Sequence, residues 1–98
     1  MARTPEAAVK EKVTRALKAL GAYYFFPVAS PVYGKRGVPD IVCCLRGGFI
    51  GIECKAGKNS TTELQDRELA KIRAAGGEAV VCSDVNVDEV IAWLKTKV

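Results

Sequence analysis

Histidine is absent from the 98-residue chain, and this absence limits the chemistry that the protein can perform. A Ser-His-Asp triad is excluded, and so is any general base that depends on an imidazole ring. Any catalysis by this chain therefore has to use carboxylates, lysine or metal-bound water.

Long apolar runs are also lacking. No stretch approaches the roughly eighteen apolar residues that suggest a membrane-spanning helix, and the N-terminus has no apolar segment that fits a secretory signal. We therefore expect a soluble, intracellular protein, either cytoplasmic or associated with a nucleoid. Apolar residues make up 49% of the chain, which predicts a single domain over residues 1–98 with one small core.

Cysteine is present but lacks the spacing of a metal or redox motif. The four cysteines, Cys43, Cys44, Cys54 and Cys82, fall inside apolar, strand-like runs and form no C-x-x-C pair. A zinc site would have to collect its ligands from these scattered positions. We expect buried, reduced thiols.

The net charge of +4 is unevenly distributed. Residues 1–37 carry seven basic and two acidic side chains, whereas residues 76–98 carry two basic and four acidic ones. A basic N-terminal half fits a phosphodiester partner, because each Lys or Arg that neutralises a phosphate releases counterions. Solvated helices are often rich in lysine as well, so charge alone leaves both interpretations open.

Local signals predict seven elements in the order α-β-β-β-α-β-α. The first helix has Thr4 as N-cap, Pro5 at its first position and Glu6 in its first turn, and Gly21 ends it. Asn86, with Glu89 three residues later, predicts the N-cap of the last helix. The other predicted elements are strands over residues 22–29 (interrupted by Pro27), 41–45, 49–55 and 77–83, and a helix that starts at Thr61-Thr62 and continues to about Ala75.

The second and third strands read as a β-hairpin, since a turn signal over residues 46–48 separates two short apolar runs. Asp40 stands where the first of these strands begins, and Glu53 and Lys55 share one face of the second strand. A short turn brings the open ends of both strands side by side. The Asp40 and Glu53 carboxylates can therefore converge, with the Lys55 ammonium beside them.

Two carboxylates suit a magnesium ion, which prefers oxygen ligands and usually keeps several waters. The backbone carbonyl of Cys54, between Glu53 and Lys55, can add a third protein ligand. Lys55 could then stabilise charge on phosphorus, or orient or deprotonate the attacking water. The alternative is structural: Asp40 is a turn residue, and Glu53 and Lys55 form a solvated pair on one face.

The ordered combination of these segments resembles the PD-(D/E)XK nuclease superfamily. The residues that carry the resemblance are Gly37-Val38-Pro39-Asp40, the Gly-Gly hairpin, Gly51-Ile52-Glu53-Cys54-Lys55 and Gln65. Within the superfamily, residues 6–81 are most similar to the VRR-NUC (virus-type replication-repair nuclease) family. The resemblance implies an α/β, restriction-endonuclease-like core with a mixed sheet flanked by helices, to which this chain adds a last helix.

The resemblance also implies roles for named residues. Mg²⁺ or Mn²⁺ would be held by Asp40, Glu53 and the Cys54 carbonyl, and Glu6 would bind it directly or through water. Gln65 would contact the phosphate or a metal-bound water and act with Lys55 in catalysis.

Glu6 and Gln65 each have a structural alternative. Glu6 can simply complement the dipole of the first helix. Gln65 can close a capping box with Thr62, and Ser60 with Glu63 also matches that pattern.

Substrate contacts are expected from the polar loop before Asp40. Residues 30–37 contain Tyr33, Lys35 and Arg36. Tyr33 could stack on an unpaired base, and Lys35 and Arg36 could bind flanking phosphates. Lys58, in the linker after the third strand, is a further candidate for DNA binding. The alternative is an ordinary flexible loop.

Together these features predict a metal-dependent, structure-specific DNA endonuclease. Stand-alone members that look like this chain are expected to be homodimers, to favour branched DNA such as four-way (Holliday) junctions, and often to be phage-encoded. Two alternatives remain. One is a non-catalytic DNA-binding or assembly module of the same fold. The other is a sequence-specific restriction-type nuclease, which the lack of an evident recognition domain argues against.

Overall fold

The computed structural model describes residues 4–28, 32 and 34–98. Its elements follow the predicted order: α1 (Pro5–Ala19), β1 (Tyr23–Phe25), β2 (Ile41–Leu45), β3 (Gly48–Cys54), α2 (Glu63–Ala74), β4 (Glu78–Cys82) and α3 (Val87–Lys95). Within the described ranges no helix is both long enough and apolar enough to cross a bilayer.

The four strands form one mixed sheet in the order β1-β2-β3-β4. The first three strands are antiparallel neighbours, and β4 runs parallel to β3. Because a parallel connection needs a crossover, α2 lies between β3 and β4 in the chain and packs against both strands. The mixed, helix-flanked sheet that the sequence predicts is confirmed.

Helices cover the two faces of the sheet unequally. One face carries the apolar core, in which α1 and α3 contribute side chains that pack with those of β2, β3 and β4. The other face is covered by α2 above β3 and β4. The buried core comprises Val9, Val13, Leu17, Ile41, Cys43, Leu45, Ile50, Ile52, Cys54, Cys82, Val87, Val90 and Leu94.

The β2–β3 turn fixes which residues face each other across the hairpin. Arg46 has a φ of 51° and Gly47 a φ of 84°, so both central residues are left-handed, as in a type I′ turn. The turn therefore needs only two residues, and β3 begins at Gly48, one residue earlier than predicted. The resulting register pairs Ile41 with Ile52, which directs Asp40 toward the position opposite Glu53.

Two local predictions differ from the structure. The first strand ends at Phe25, well before residue 29, because Pro27 has no N–H to donate to a ladder. Asn86 is the N-cap of α3 as predicted, but its side chain makes no capping hydrogen bond to the helix. It accepts from the Ser83 N–H at 2.7 Å and donates to the Val81 carbonyl at 3.0 Å instead, which ties the end of β4 to the loop that follows.

The four thiols are free, but only three are buried. Burial raises the pKa of Cys43 and Cys82 to about 11 and that of Cys54 to about 12, so these thiols stay protonated at neutral pH. The expectation of burial is wrong for Cys44, which is exposed. Neighbouring residues of a strand point to opposite faces, so Cys44 lies on the face opposite the core. α2 covers that face above β3 and β4 and leaves the part above β2, where Cys44 lies, exposed.

Candidate active site

Three carboxylates meet at the end of the sheet where β2 begins and β3 ends. Glu6 comes from the first turn of α1, Asp40 from the residue before β2, and Glu53 from β3. One oxygen from each lies within 4.8 Å of the others. Glu53 is only 2% exposed, and the other two are partly buried. The structure thus brings together the three acidic residues that the sequence singles out.

Asp40 is held by the backbone of the opposite strand. Its Oδ2 accepts the Cys54 N–H at 2.8 Å, so a side chain continues the ladder where β2 itself has not yet begun. The N–H and C=O of one strand residue project to the same side. The Cys54 carbonyl is therefore directed to the side of Asp40, as a third ligand from this backbone would require.

Lys55 and Gln65 both reach the buried Glu53 carboxylate. Lys55 Nζ lies 3.5 Å from Glu53 Oε2, and Gln65 Nε2 donates to the same oxygen at 3.1 Å. Period-two alternation along β3 puts Glu53 on the face covered by α2, which is where Gln65 lies. The same alternation keeps Lys55 on that side.

Gln65 also closes a capping box at the start of α2. Its Oε1 accepts the Thr62 N–H at 2.9 Å, and the Thr62 hydroxyl accepts the Gln65 N–H at 3.2 Å. Thr62 is the N-cap, so the box that Ser60 and Glu63 could have formed is not used. Gln65 therefore caps α2 and contacts Glu53 at the same time, because a primary amide has both an acceptor oxygen and a donor nitrogen.

The site has more negative than positive charge. Burial, followed by the charge and the hydrogen bond of Asp40, raises the pKa of Glu53 from 4.5 to about 7, while Lys55 acts in the opposite direction. Three carboxylates lie close together and one ammonium pairs with Glu53, so a proton or a cation is needed to relieve the remaining repulsion. All the side-chain ligands on offer are hard oxygens, the donor set that Mg²⁺ and Mn²⁺ prefer.

Known proteins are similar to this chain over most of its length. No family model matches the chain. A protein described as "Putative nuclease p44", from Acyrthosiphon pisum secondary endosymbiont phage 1, is 35% identical over 83 residues, covering 84% of this chain and 85% of that protein. A solved structure of a VRR_NUC domain superposes with a TM-score of 0.74 at 26% identity and covers 92% of this chain and 97% of its own. The chain belongs to the VRR-NUC family of nucleases. The resemblance inferred from the sequence is confirmed.

The basic residues of this VRR-NUC chain that are expected to contact DNA have different surroundings. Lys35 Nζ is 3.5 Å from Glu68 Oε1 on α2, Arg36 is exposed, and Lys58 is exposed in the turn after β3. Tyr33 lies outside the described residues. Their predicted roles stay predictions.

Two acidic residues near the VRR-NUC site were not predicted from the sequence, and both bind neighbouring groups. Glu68 lies near both Lys35 and Lys71, at 3.5 and 3.4 Å. Asp84 accepts the Gly57 N–H at 2.7 Å and anchors the turn that carries Lys58. Glu68 stands three residues after Gln65 and therefore on the same side of α2, a signal that could have identified it. Asp84 has no comparable local signal.

The raised pKa of Glu53 predicts a pH dependence of stability in the metal-free VRR-NUC domain. The unfolded chain releases the Glu53 proton near pH 4.5, whereas the folded protein keeps it up to about pH 7. The contribution of Glu53 to the free energy of unfolding should therefore be complete below pH 4.5 and be lost as the pH rises to about 7. Glu53→Gln should remove this loss, so the stability of the variant relative to wild type should increase across the window.

Urea denaturation with EDTA, from pH 4 to 8, measures this difference. Glu89→Gln, an exposed substitution on α3, is the control and should follow the wild-type curve. A constant difference between Glu53→Gln and wild type across the window would contradict the assignment.

Proposed function

We propose that this VRR-NUC nuclease is a metal-dependent endonuclease that hydrolyses DNA, with residues 1–98 as its single nuclease domain. The observation that carries the proposal is the convergence of Glu6, Asp40 and Glu53, with one oxygen from each within 4.8 Å. Surface acids often cluster without a function, but Glu53 is buried and its pKa is raised to about 7. A buried carboxylate that has two further acids and only one ammonium beside it is unusual unless the site has a cation to bind.

Asp40, Glu53 and the Cys54 carbonyl would hold Mg²⁺ or Mn²⁺, with Glu6 as a further ligand, directly or through water. The oxygen donor set supports this assignment, as does the hydrogen bond from Cys54 N–H that fixes Asp40. When bound, the ion supplies a Lewis acid for the attacking water and for the phosphodiester.

Lys55 and Gln65 act on the reacting groups as hydrogen-bond donors. Lys55 Nζ is 3.5 Å from Glu53 Oε2 and its side chain is 13% exposed, so the ammonium is held in place yet borders the open side of the site. From there it donates to a phosphate oxygen or to the attacking water and stabilises the negative charge that develops. The Gln65 amide keeps the Glu53 carboxylate oriented and can offer its second N–H to the same water or phosphate.

The preferred substrate in this proposal is branched DNA, with four-way junctions as the leading case. The basic N-terminal half supports binding to phosphates. A domain of this size offers little surface for gripping a long duplex, whereas two copies related by a two-fold axis would present two sites to a symmetric junction.

An exposed apolar sheet face supports the homodimer. Tyr23, Cys44 and Phe49 form a row across β1, β2 and β3, and Phe25 lies on the same side of β1. All four lie on the face opposite the core, and Phe49 borders the C-terminal end of α2 at Ile72 and Ala75. Tyr23 is 74%, Phe25 51% and Phe49 47% exposed, and none of the four is charged.

The area of this apolar sheet face is limited. Its three aromatic rings leave roughly 300–400 Å² accessible on one protomer, less than half of the about 800 Å² per partner in a standard interface. The dimer we propose therefore needs rim contacts beside the rings, which exposed residues such as Val28 can supply.

Cleavage assays on the purified protein test the proposed reaction. With Mg²⁺ or Mn²⁺ the wild type should nick a four-way junction in symmetric pairs, and EDTA should stop the reaction. Glu53→Ala or Lys55→Ala should reduce cleavage at least about 100-fold, as expected for loss of a group that stabilises the transition state, and should leave junction binding intact. The exposed residues Glu89→Gln and Lys95→Ala on α3 serve as controls with wild-type activity.

The same assay separates the alternatives when linear and flap DNA are included. Substantial cleavage by both site variants would overturn the mechanism. Junction binding without cutting, insensitive to metal and to Glu53→Ala, would indicate a non-catalytic module. Cleavage of unbranched duplex at one sequence would indicate a restriction-type enzyme.

The loop residues Lys35 and Arg36 should affect binding rather than chemistry. Arg36 is exposed. The Lys35 side chain is 65% exposed in its ion pair with Glu68, so this pair contributes little to stability and Lys35 can bind a phosphate in place of Glu68. Replacing both by alanine should flatten the slope of log K against log salt by roughly one to two units, about one for each lost phosphate contact. Lys95→Ala should leave the slope unchanged, and an unchanged slope in the double variant would show that neither residue touches DNA.

The apolar sheet face should control the oligomeric state. Phe25→Glu places a charge on the β1 side of this face and should shift the protein to monomers in sedimentation velocity. The Cys44 thiol should react more slowly with a thiol reagent in wild type at high protein concentration than in the variant. Val85→Glu, at a residue that is 81% exposed in the loop before α3, is the matched control. Identical sedimentation of wild type and Phe25→Glu would exclude this face as the interface.

A further inference from the structure

Gly37 lies where the loop before Asp40 touches the start of α2. A β-carbon built on Gly37 would lie 2.7 Å from both the carbonyl carbon and the carbonyl oxygen of Leu64, and 3.0 Å from the backbone nitrogen of Gln65. These neighbours are backbone atoms of a capped helix and cannot rotate away. Gly37 also has a φ of +75°, which L-residues with a side chain rarely adopt.

This contact joins two parts of the site that are separate in sequence. On one side, Asp40 follows Gly37 by three residues and accepts the Cys54 N–H. On the other side, the Gln65 backbone touches Gly37 while the Gln65 side chain donates to Glu53. The spacing between Asp40 and Gln65 therefore depends on how closely the loop approaches α2.

A second glycine supports the same packing from the sheet. A β-carbon on Gly51 would lie 3.0 Å from Pro39 Cγ and 2.7 Å from Ile72 Cδ1. Pro39 precedes Asp40, and Ile72 belongs to α2. The absence of two side chains thus lets the loop, the helix and β3 approach one another beside Glu53.

We propose that Gly37 is a positioning residue of the nuclease site. Its missing side chain sets the separation between the segment that holds Asp40 and the helix that holds Gln65, and so the distance of both from Glu53. The catalytic consequence rests on the proposed function, whereas the geometric one does not. A β-carbon at this position would move the loop away from α2 by several tenths of an ångström or more, since side-chain carbons do not approach backbone atoms to within 3.0 Å.

Gly21 provides a matched control for backbone strain. It has a φ of +77°, almost the same as Gly37, but a β-carbon there would meet nothing within 4 Å. It lies between α1 and β1, away from the site. Alanine at either position carries the same conformational penalty, and only Gly37→Ala adds the collision with α2.

The first measurement reports on the environment of the Gln65 side chain and needs neither metal nor DNA. In ¹⁵N-edited NMR spectra, the side-chain amide of Gln65 should have a distinct resonance in wild type and in Gly21→Ala, because it donates to a buried carboxylate. In Gly37→Ala this resonance should move toward the position of a solvent-exposed amide. An unchanged Gln65 resonance in Gly37→Ala would overturn the proposal.

The second measurement reads the consequence for catalysis. Misplacing catalytic groups by about 1 Å can lower a rate by roughly 100-fold, so kcat for junction cleavage should fall about 10- to 100-fold in Gly37→Ala while KM changes little. Gly21→Ala should keep wild-type kcat. Equal kcat values for the two glycine variants would contradict the proposal.

A second pair of variants keeps the test valid if Gly37→Ala does not fold. Asparagine tolerates a left-handed φ better than alanine does, so Gly37→Asn reduces the strain and retains the collision, with Gly21→Asn as its control. A wild-type protein that cuts no DNA with Mg²⁺ or Mn²⁺ would overturn the proposed function alone, because the Gln65 resonance decides on Gly37 independently.

Discussion

The buried carboxylate of Glu53 is the group on which the rest of the site depends. A charge removed from water is costly unless hydrogen bonds and an opposite charge replace the lost solvation. Lys55 and Gln65 both reach its Oε2, yet Asp40 raises its pKa further, and Glu6 lies in the same cluster. These opposing interactions make Glu53 hold its proton to a higher pH than a solvent-exposed glutamate does. A divalent cation would reverse that preference, which ties the electrostatics of this fold to the occupant we propose.

The sheet determines where this carboxylate lies. The two-residue turn at Arg46 and Gly47 sets the register of β2 and β3, and the register places Asp40 across from Glu53. A slip of one residue would send every side chain of β3 to the opposite face, and Glu53 would then enter the apolar core between the sheet and α1. The hydrogen bond from Cys54 N–H to Asp40 extends the ladder to the end of the site. The turn at one end of the hairpin thus sets the positions of Asp40 and Glu53 at the other end.

Local patterns in the sequence predicted most of this arrangement and missed what depends on packing. Alternation along β3 and the hairpin signal were sufficient to bring Asp40, Glu53 and Lys55 together, because both are properties of neighbouring residues. The exposure of Cys44 follows from how little of one sheet face α2 covers, and strand alternation carries no information on that. Asn86 occupies the predicted N-cap position of α3, but its side-chain amide bonds to Ser83 and Val81 and not to the helix. A capping bond to α3 and the bonds to Ser83 and Val81 would use the same side chain, and the tertiary fold decides which of them forms.

Gln65 shows how one side chain can cap a helix and also contact the candidate site. Its Oε1 caps α2 by accepting from Thr62, and its Nε2 holds Glu53. A glutamate could still accept the Thr62 N–H, but it would bring a further negative charge to a carboxylate whose pKa is already raised, and an alanine would lose both bonds. Only an amide of this length offers an acceptor to the helix and a donor to the strand. The start of α2 and the centre of the site are therefore joined through one side chain, so any displacement of the helix start changes the environment of Glu53.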